Sequence, residues 1–151
     1  MNIRPATTRD YAELVDMYKE LIYGVYDGFE KGEDIYFHGA VQNWFTQKKD
    51  VIVCEKGDGT ITGFSLAFVE SIGVIEPYYY GDSAYVKPEF RKGRTAYLLY
   101  NNVVDYAAQQ GLPVIAKAFV SEENENKVDK IQAKFGKPRF IEYYRGVEDG
   151  R

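Results

Sequence analysis

The sequence is poor in the residues that build metal and nucleophile sites. Of its 151 residues one is a cysteine, Cys54, and one a histidine, His38. A lone cysteine excludes an internal disulfide, and one cysteine with one histidine cannot assemble a His/Cys zinc site. Cys54 stands in the run Val51-Ile52-Val53-Cys54, where a thiol reads as a small buried hydrophobe. No serine lies in an elbow motif, so nucleophilic catalysis is set aside. Positive charge is also scarce. With 19 Lys and Arg against 23 Asp and Glu the net charge is −4, which argues against nucleic acid as a partner and suits a cationic substrate. No apolar run approaches the ~20 residues of a membrane span, and no charged-then-apolar leader pattern opens the chain. No membrane partner and a cytoplasmic location are the expectations that follow.

What is present is a foldable chain. Hydrophobic residues make up 45% and charged residues 28%, which places it among globular proteins, and the length fits one domain over residues 1–151. Tyrosine is abundant, with 14 residues, and most are read as filling half-buried strand faces. Ile3 to Ala6 is a short strand candidate. Thr7 and Asp10 match a capping box, and Leu14, Met17, Tyr18, Leu21 and Ile22 then recur at helical spacing, predicting a helix over 8–22. A glycine-punctuated segment holds Tyr26 and Phe29, and a short helix is expected over 40–45. Strands are expected at 50–55 and 60–70, joined by Lys56-Gly57-Asp58-Gly59 with positive φ at both glycines. A third strand spans 78–86, a strong helix 95–110 closes on Gly111, and a strand covers 112–120. Ser121 caps a further helix running to Phe135, and a last strand is expected over 139–147. This order indicates one α/β or α+β mixed sheet with helices on both faces.

The element that organises the rest is Asp82-Ser83-Ala84-Tyr85-Val86-Lys87-Pro88-Glu89-Phe90-Arg91-Lys92-Gly93-Arg94-Thr95-Ala96. It reads as a strand ended by a proline, a basic turn, and a helix start. Such a start offers unpaired N–H groups and the positive end of the helix dipole, which together attract a phosphate or pyrophosphate. The stretch resembles the acetyl-CoA-binding motif of the GNAT family of N-acetyltransferases. There a Val-x-Pro-Glu-x-Arg segment leads into Arg/Gln-x-x-Gly-x-Gly/Ala at a helix start. Arg91 fills the first position and Ala96 the last, while Arg94 replaces the middle glycine. The order of elements along the whole chain resembles the family as well.

The resemblance implies a mostly antiparallel central sheet flanked by helices on both faces, and acetyl-CoA as the acyl donor without a metal. It places the pyrophosphate on Arg91, Lys92, Gly93, Arg94, Thr95 and Ala96, and the pantetheine arm along the backbone of Ala84, Tyr85 and Val86. The family's general base, four residues before the valine, falls on Asp82; its other reading is a turn terminator. The family's acid, a tyrosine four residues before a glycine, falls on Gln132. Tyr143, Tyr144 and the run Tyr78-Tyr79-Tyr80 are the alternatives, with Tyr143 put forward. Tyr23, Tyr26 and Phe29 either border the acceptor pocket or pack as an aromatic cluster. Glu122, Glu123 and Glu125 either favour a helix start or attract a cationic amine. The chain ends soon after one strand where the family usually has two, so the sheet's last strand is either missing or supplied by a partner chain, which makes a homodimer one expectation. The activity implied is acetyl transfer to a primary amine; the rival is a weakly active or inactive binding module of the same fold, favoured by Gln132.

Overall fold

Alternation of side chains along residues 50–70 produces the hairpin on which everything else is laid. In the computed structural model, which describes residues 1–25, 34–71, 76–118, 130 and 142–143, β2 (Asp50–Glu55) pairs antiparallel with β3 (Ile61–Glu70). Only Gly59 of the connecting turn has positive φ, at 85°, so the expectation for Gly57 does not hold. One left-handed residue is enough here, because Gly59 donates its N–H back to the Lys56 carbonyl and Asp58 Oδ1 accepts from the Thr60 N–H.

Strand β1 (Asn2–Pro5) adds to the outer side of β2, and β4 (Tyr78–Val86) pairs antiparallel with β3. Strands β5 (Val114–Ala118) and β6 (Glu142–Tyr143) continue the sheet in parallel, giving the order β1-β2-β3-β4-β5-β6. The helices are α1 (Tyr11–Val25), α2 (Asp34–Thr46) and α3 (Thr95–Gln109). The helix expected from Ser121 lies, apart from Lys130, outside the described residues, as do most of the last strand, Tyr26 and Phe29.

Helix α1 begins where the capping box says it should. The Thr7 N–H donates to Asp10 Oδ2 at 2.8 Å, one 3-10 turn before the helix proper. Asp10 is held in turn by Arg4, whose two terminal nitrogens reach its two oxygens at 2.8 and 2.9 Å. Helix α2 is longer than the expected 40–45. Phe37, Val41 and Trp44 recur one turn apart and are buried, so the stripe carries the helix through Gly39 despite its low propensity. Helix α3 ends in a Schellman turn: Gly111, at φ 67°, donates to the Ala108 carbonyl and Leu112 to that of Ala107.

The two sides of the sheet carry different helices. Leu14, Val15, Met17 and Leu21 of α1 and Phe37, Val41 and Trp44 of α2 pack on Val51, Val53, Ile61, Phe64, Leu66 and Tyr85. Val103 and Ala107 of α3 cover Ala67 and Tyr79 on the other face. Cys54 is fully buried, as expected of a core thiol. His38 lies within α2, exposed and stacked on Tyr11.

Candidate functional site

Two irregularities in β4 create the site. The first is a bulge. Leu66 pairs with Ser83 and Ala67 with Gly81, so Asp82 is the extra residue, opposite no partner on β3. A bulge re-aims the side chain it carries and bends the strand. Asp82 is half-buried there, and its Oδ2 accepts a hydrogen bond from the Ser83 hydroxyl at 2.9 Å.

The second irregularity is the parting of two parallel strands. Tyr79, Tyr80 and Gly81 pair with Val114, Ile115 and Ala116, and the pairing stops there although both strands continue. Beyond Ala116, β5 pairs with β6 instead, Lys117 with Glu142 and Ala118 with Tyr143. From Asp82 to Val86 the outer edge of β4 therefore faces no strand among the described residues. The opening is a cleft floored by Ser65, Gly81, Ser83 and Ala84 and walled by Leu99, Tyr100, Val103 and Ala116. A strand edge of this kind offers backbone donors and acceptors to an extended ligand, as β-augmentation does.

At the end of β4 the chain makes a tight passage into α3. Gly63 lets β3 and β4 close there, since a Cβ on it would lie 2.4 Å from the Tyr85 carbonyl oxygen. Arg91 Nε donates to the Val86 carbonyl at 3.0 Å, and its guanidinium lies 5.6 Å from the Tyr85 ring centroid. The Gly93 N–H is taken by the Phe90 carbonyl at 3.0 Å. Helix α3 then starts from Arg94 without a side-chain cap, so the N–H groups of Thr95, Ala96 and Tyr97 have no carbonyl one turn back within the helix. Lys92 and Arg94 are exposed and form no ion pair with a described residue, whereas Lys87 is paired with Glu13.

The sequence-predicted residues thus fall at one end of one sheet, but their side chains divide between its faces. Thr95 is fully buried, and its hydroxyl lies 3.0 Å from that of Thr62, so only its N–H faces the turn. Tyr85 points into the α1/α2 core and donates to Glu20; burial and then that bond push its hydroxyl up to about 12. Ala84 is exposed at the strand edge and Val86 half-buried. Tyr143 is placed in β6 beside Ala118. Among its alternatives, Tyr79 donates to Asp50 at 2.9 Å, and burial first, then that bond, hold its pKa well above the ordinary value. Tyr78 is buried. Tyr23 packs edge-on against Phe37, which is the aromatic-cluster reading. Gln132, Tyr144, Glu122, Glu123 and Glu125 lie outside the described residues.

Sequence reasoning missed Ser65 and Tyr100. Ser65 is buried on β3 with no hydrogen-bond partner, and burial raises the pKa of the Tyr100 hydroxyl. The available signal for Ser65 was a hydroxyl inside an otherwise apolar strand. On the α1 side, a separate and wider cleft is lined by Glu13, Asp16, Glu20, Lys87 and Glu89. No group of three His, Cys, Asp or Glu side chains is placed to hold a metal among the described residues, and no described helix is long and apolar enough to cross a membrane.

Comparison with known proteins supplies the frame for this geometry. The model of the acetyltransferase (GNAT) family matches residues 13–136. No curated protein matches the chain significantly. Among solved structures, a predicted acetyltransferase with acetyl-CoA from Clostridium acetobutylicum is similar at 15% identity, over 98% of this chain and 92% of that one, with a TM-score of 0.68. A ribosomal-protein-alanine N-acetyltransferase from Brucella melitensis is 18% identical over 90% and 83%, with a TM-score of 0.66. An aminoglycoside antibiotic 6'-N-acetyltransferase from Acinetobacter haemolyticus is 14% identical over 99% and 100%, also at 0.66. At such identities these likenesses establish the fold.

Proposed function

The chain belongs to the acetyltransferase (GNAT) family, and on that premise we propose that it transfers the acetyl group of acetyl-CoA to a primary amine by direct attack, with no covalent enzyme intermediate. The observation that carries this reading is the parting of β4 from β5 immediately before an uncapped, basic helix start. An extended arm fits the open strand edge, and a pyrophosphate fits the donors and cations at its end. The residues present therefore suit the donor without a metal.

In this reading the N–H groups of Thr95 and Ala96, with the charges of Lys92 and Arg94, hold the pyrophosphate. Gly93 leaves room for it at the turn. Arg91, fixed by its bond to Val86 and its place over Tyr85, keeps the strand end and the turn in register and adds positive charge beside the anion. The backbone of Ala84, Tyr85 and Val86 holds the pantetheine arm. When bound, acetyl-CoA supplies a thioester with a good thiolate leaving group. The incoming ammonium must lose a proton before it can attack, and Asp82, re-aimed by the bulge, accepts it directly or through water. Tyr143, on β6, which pairs with the other edge of β5, is the residue put forward to return a proton to the departing thiolate. The net charge of −4 suits an acceptor that carries positive charge.

The test is thiol release from acetyl-CoA across a panel of primary amines, with melting temperature measured alongside. Release with at least one amine, and a higher melting temperature with acetyl-CoA, are expected. No shift at millimolar acetyl-CoA would remove the donor assignment. A shift without release from any amine would leave a cofactor-binding module in place of a transferase.

A further inference from the structure

The floor of the cleft contains one buried polar atom with no partner among the described residues. Ser65 is 3% exposed, and its hydroxyl has no hydrogen-bond partner. Buried hydroxyls elsewhere in the sheet are treated differently: Thr62 donates to the Cys54 carbonyl and is paired with Thr95. Buried polar groups in folded proteins are almost always satisfied, so an orphan asks for an explanation. Position supplies one. Ser65 pairs with Ala84 of β4, and its hydroxyl-bearing side chain shares the cleft with Gly81, Leu99, Val103 and Ala116. The flanking positions of β3 on this face are Gly63 and Ala67, so packing alone asks for a small apolar residue.

We propose that Ser65 is a binding residue for the acyl donor, its hydroxyl donating to a carbonyl oxygen of the arm that lies in the cleft. The inference rests on the acetyl-CoA reading and deepens it. An aliphatic chain interrupted by amides matches a mostly apolar cleft to which Ser65, Ser83 and Tyr100 bring hydroxyls, because such pockets fix orientation through a few placed polar groups. The Ser65 oxygen has no accessible surface in the free chain, so the contact requires its side chain to change rotamer toward the arm, which a serine does without moving the backbone. Ser65 comes from β3 and not from the strand or turn that carries the cofactor motif, and the ligand completes a hydrogen bond that the free protein lacks.

The consequence is an unusual pair of effects. In Ser65→Ala the orphan is removed, so the free protein is expected to melt at the same temperature or higher. Affinity for coenzyme A, measured by titration calorimetry, is expected to fall about fivefold, the share of one neutral hydrogen bond. Ser65→Cys, of similar size with a weaker donor, should fall between the two. Equal losses for coenzyme A and acetyl-CoA assign the partner to an amide carbonyl of the arm; a loss confined to acetyl-CoA assigns it to the thioester carbonyl. Unchanged affinity for both ligands in a normally folded Ser65→Ala overturns the proposal while leaving the donor assignment standing. A lower melting temperature with unchanged affinity does so too, by showing that the hydroxyl holds water for stability. If the unaltered protein binds neither ligand, the donor assignment itself falls and Ser65 with it.

Discussion

The hydroxyls of Thr62 and Thr95 lie 3.0 Å apart in the buried interior, joining β3 to the first residue of α3. Thr62 also donates to the Cys54 carbonyl, and the Thr95 hydroxyl also lies 3.5 Å from Met1 Sδ. The helix start that would hold an anion is thereby bonded to the sheet beneath it. Thr95→Val keeps the shape and removes the hydroxyl. Stability is expected to drop by about 1–2 kcal/mol, read by urea unfolding. A fall in coenzyme A affinity should accompany it, because the freed helix end no longer presents its N–H groups in one orientation. Unchanged affinity with the expected stability loss would show that the helix start is set by packing alone.

Arg91 serves the fold and the proposed site together, which makes charge-preserving substitution informative. Lysine retains the positive charge but has neither Nε nor a planar group to lie over Tyr85. Arg91→Ala is expected to raise the KM for acetyl-CoA by roughly tenfold, the scale of one charge-assisted hydrogen bond. Arg91→Lys is expected to recover only part of that loss. Full recovery would mean that a point charge suffices and that the bond to Val86 is incidental.

The Arg4–Asp10 pair gives the fold a defined acid sensitivity. Arg4's hydrogen bonds hold the Asp10 carboxyl below its ordinary value of 3.8, with the Thr7 N–H adding to the effect and burial opposing it. A carboxyl whose pKa is depressed by folding contributes stability that is complete above its unfolded value and is lost as pH falls through the folded one. Asp10→Asn should therefore cost roughly 1–2 kcal/mol at neutral pH. The gap between it and the unaltered protein should hold down to about pH 4 and close below that. A gap independent of pH would show that Asp10 acts through its neutral hydrogen bonds to Thr7.

Much of this architecture is legible in the residues. The boundaries of β2 and β4 follow from alternation bounded by turn residues, and α3 from an apolar stripe ending on Gly111. The basic turn is legible because its function depends on residue types close together in sequence. What escapes is whatever depends on pairing across the sheet. Nothing local to Asp82 says that it is a bulge, since that follows from the register of Leu66 and Ala67 against Ser83 and Gly81. Ser65 is invisible for the same reason, as its isolation is a property of its neighbours in space. Helix α2 extends beyond the expected 40–45 because its stripe of Phe37, Val41 and Trp44 is spread over a segment with a glycine in the middle.

Asp82 is the residue on which the chemistry of the proposal turns, and substitution separates the two explanations, base or turn terminator, that sequence leaves level. A residue that merely ends a turn would be indifferent to its charge. Here the carboxylate accepts from the Ser83 hydroxyl at the start of the open strand edge, where an amine and a thioester would meet. Asp82→Asn is expected to lower kcat by about 10²–10⁴-fold, the usual contribution of a general base. The coenzyme A dissociation constant and the melting temperature should stay near those of the unaltered protein, since asparagine can still accept from Ser83. Asp82→Glu should restore part of the rate, as a carboxylate one methylene longer reaches the proton directly or with a water between. Turnover in Asp82→Asn equal to that of the unaltered protein would assign the proton to solvent or to another group. A loss in affinity that matches the loss in rate would reassign Asp82 to holding the cleft open.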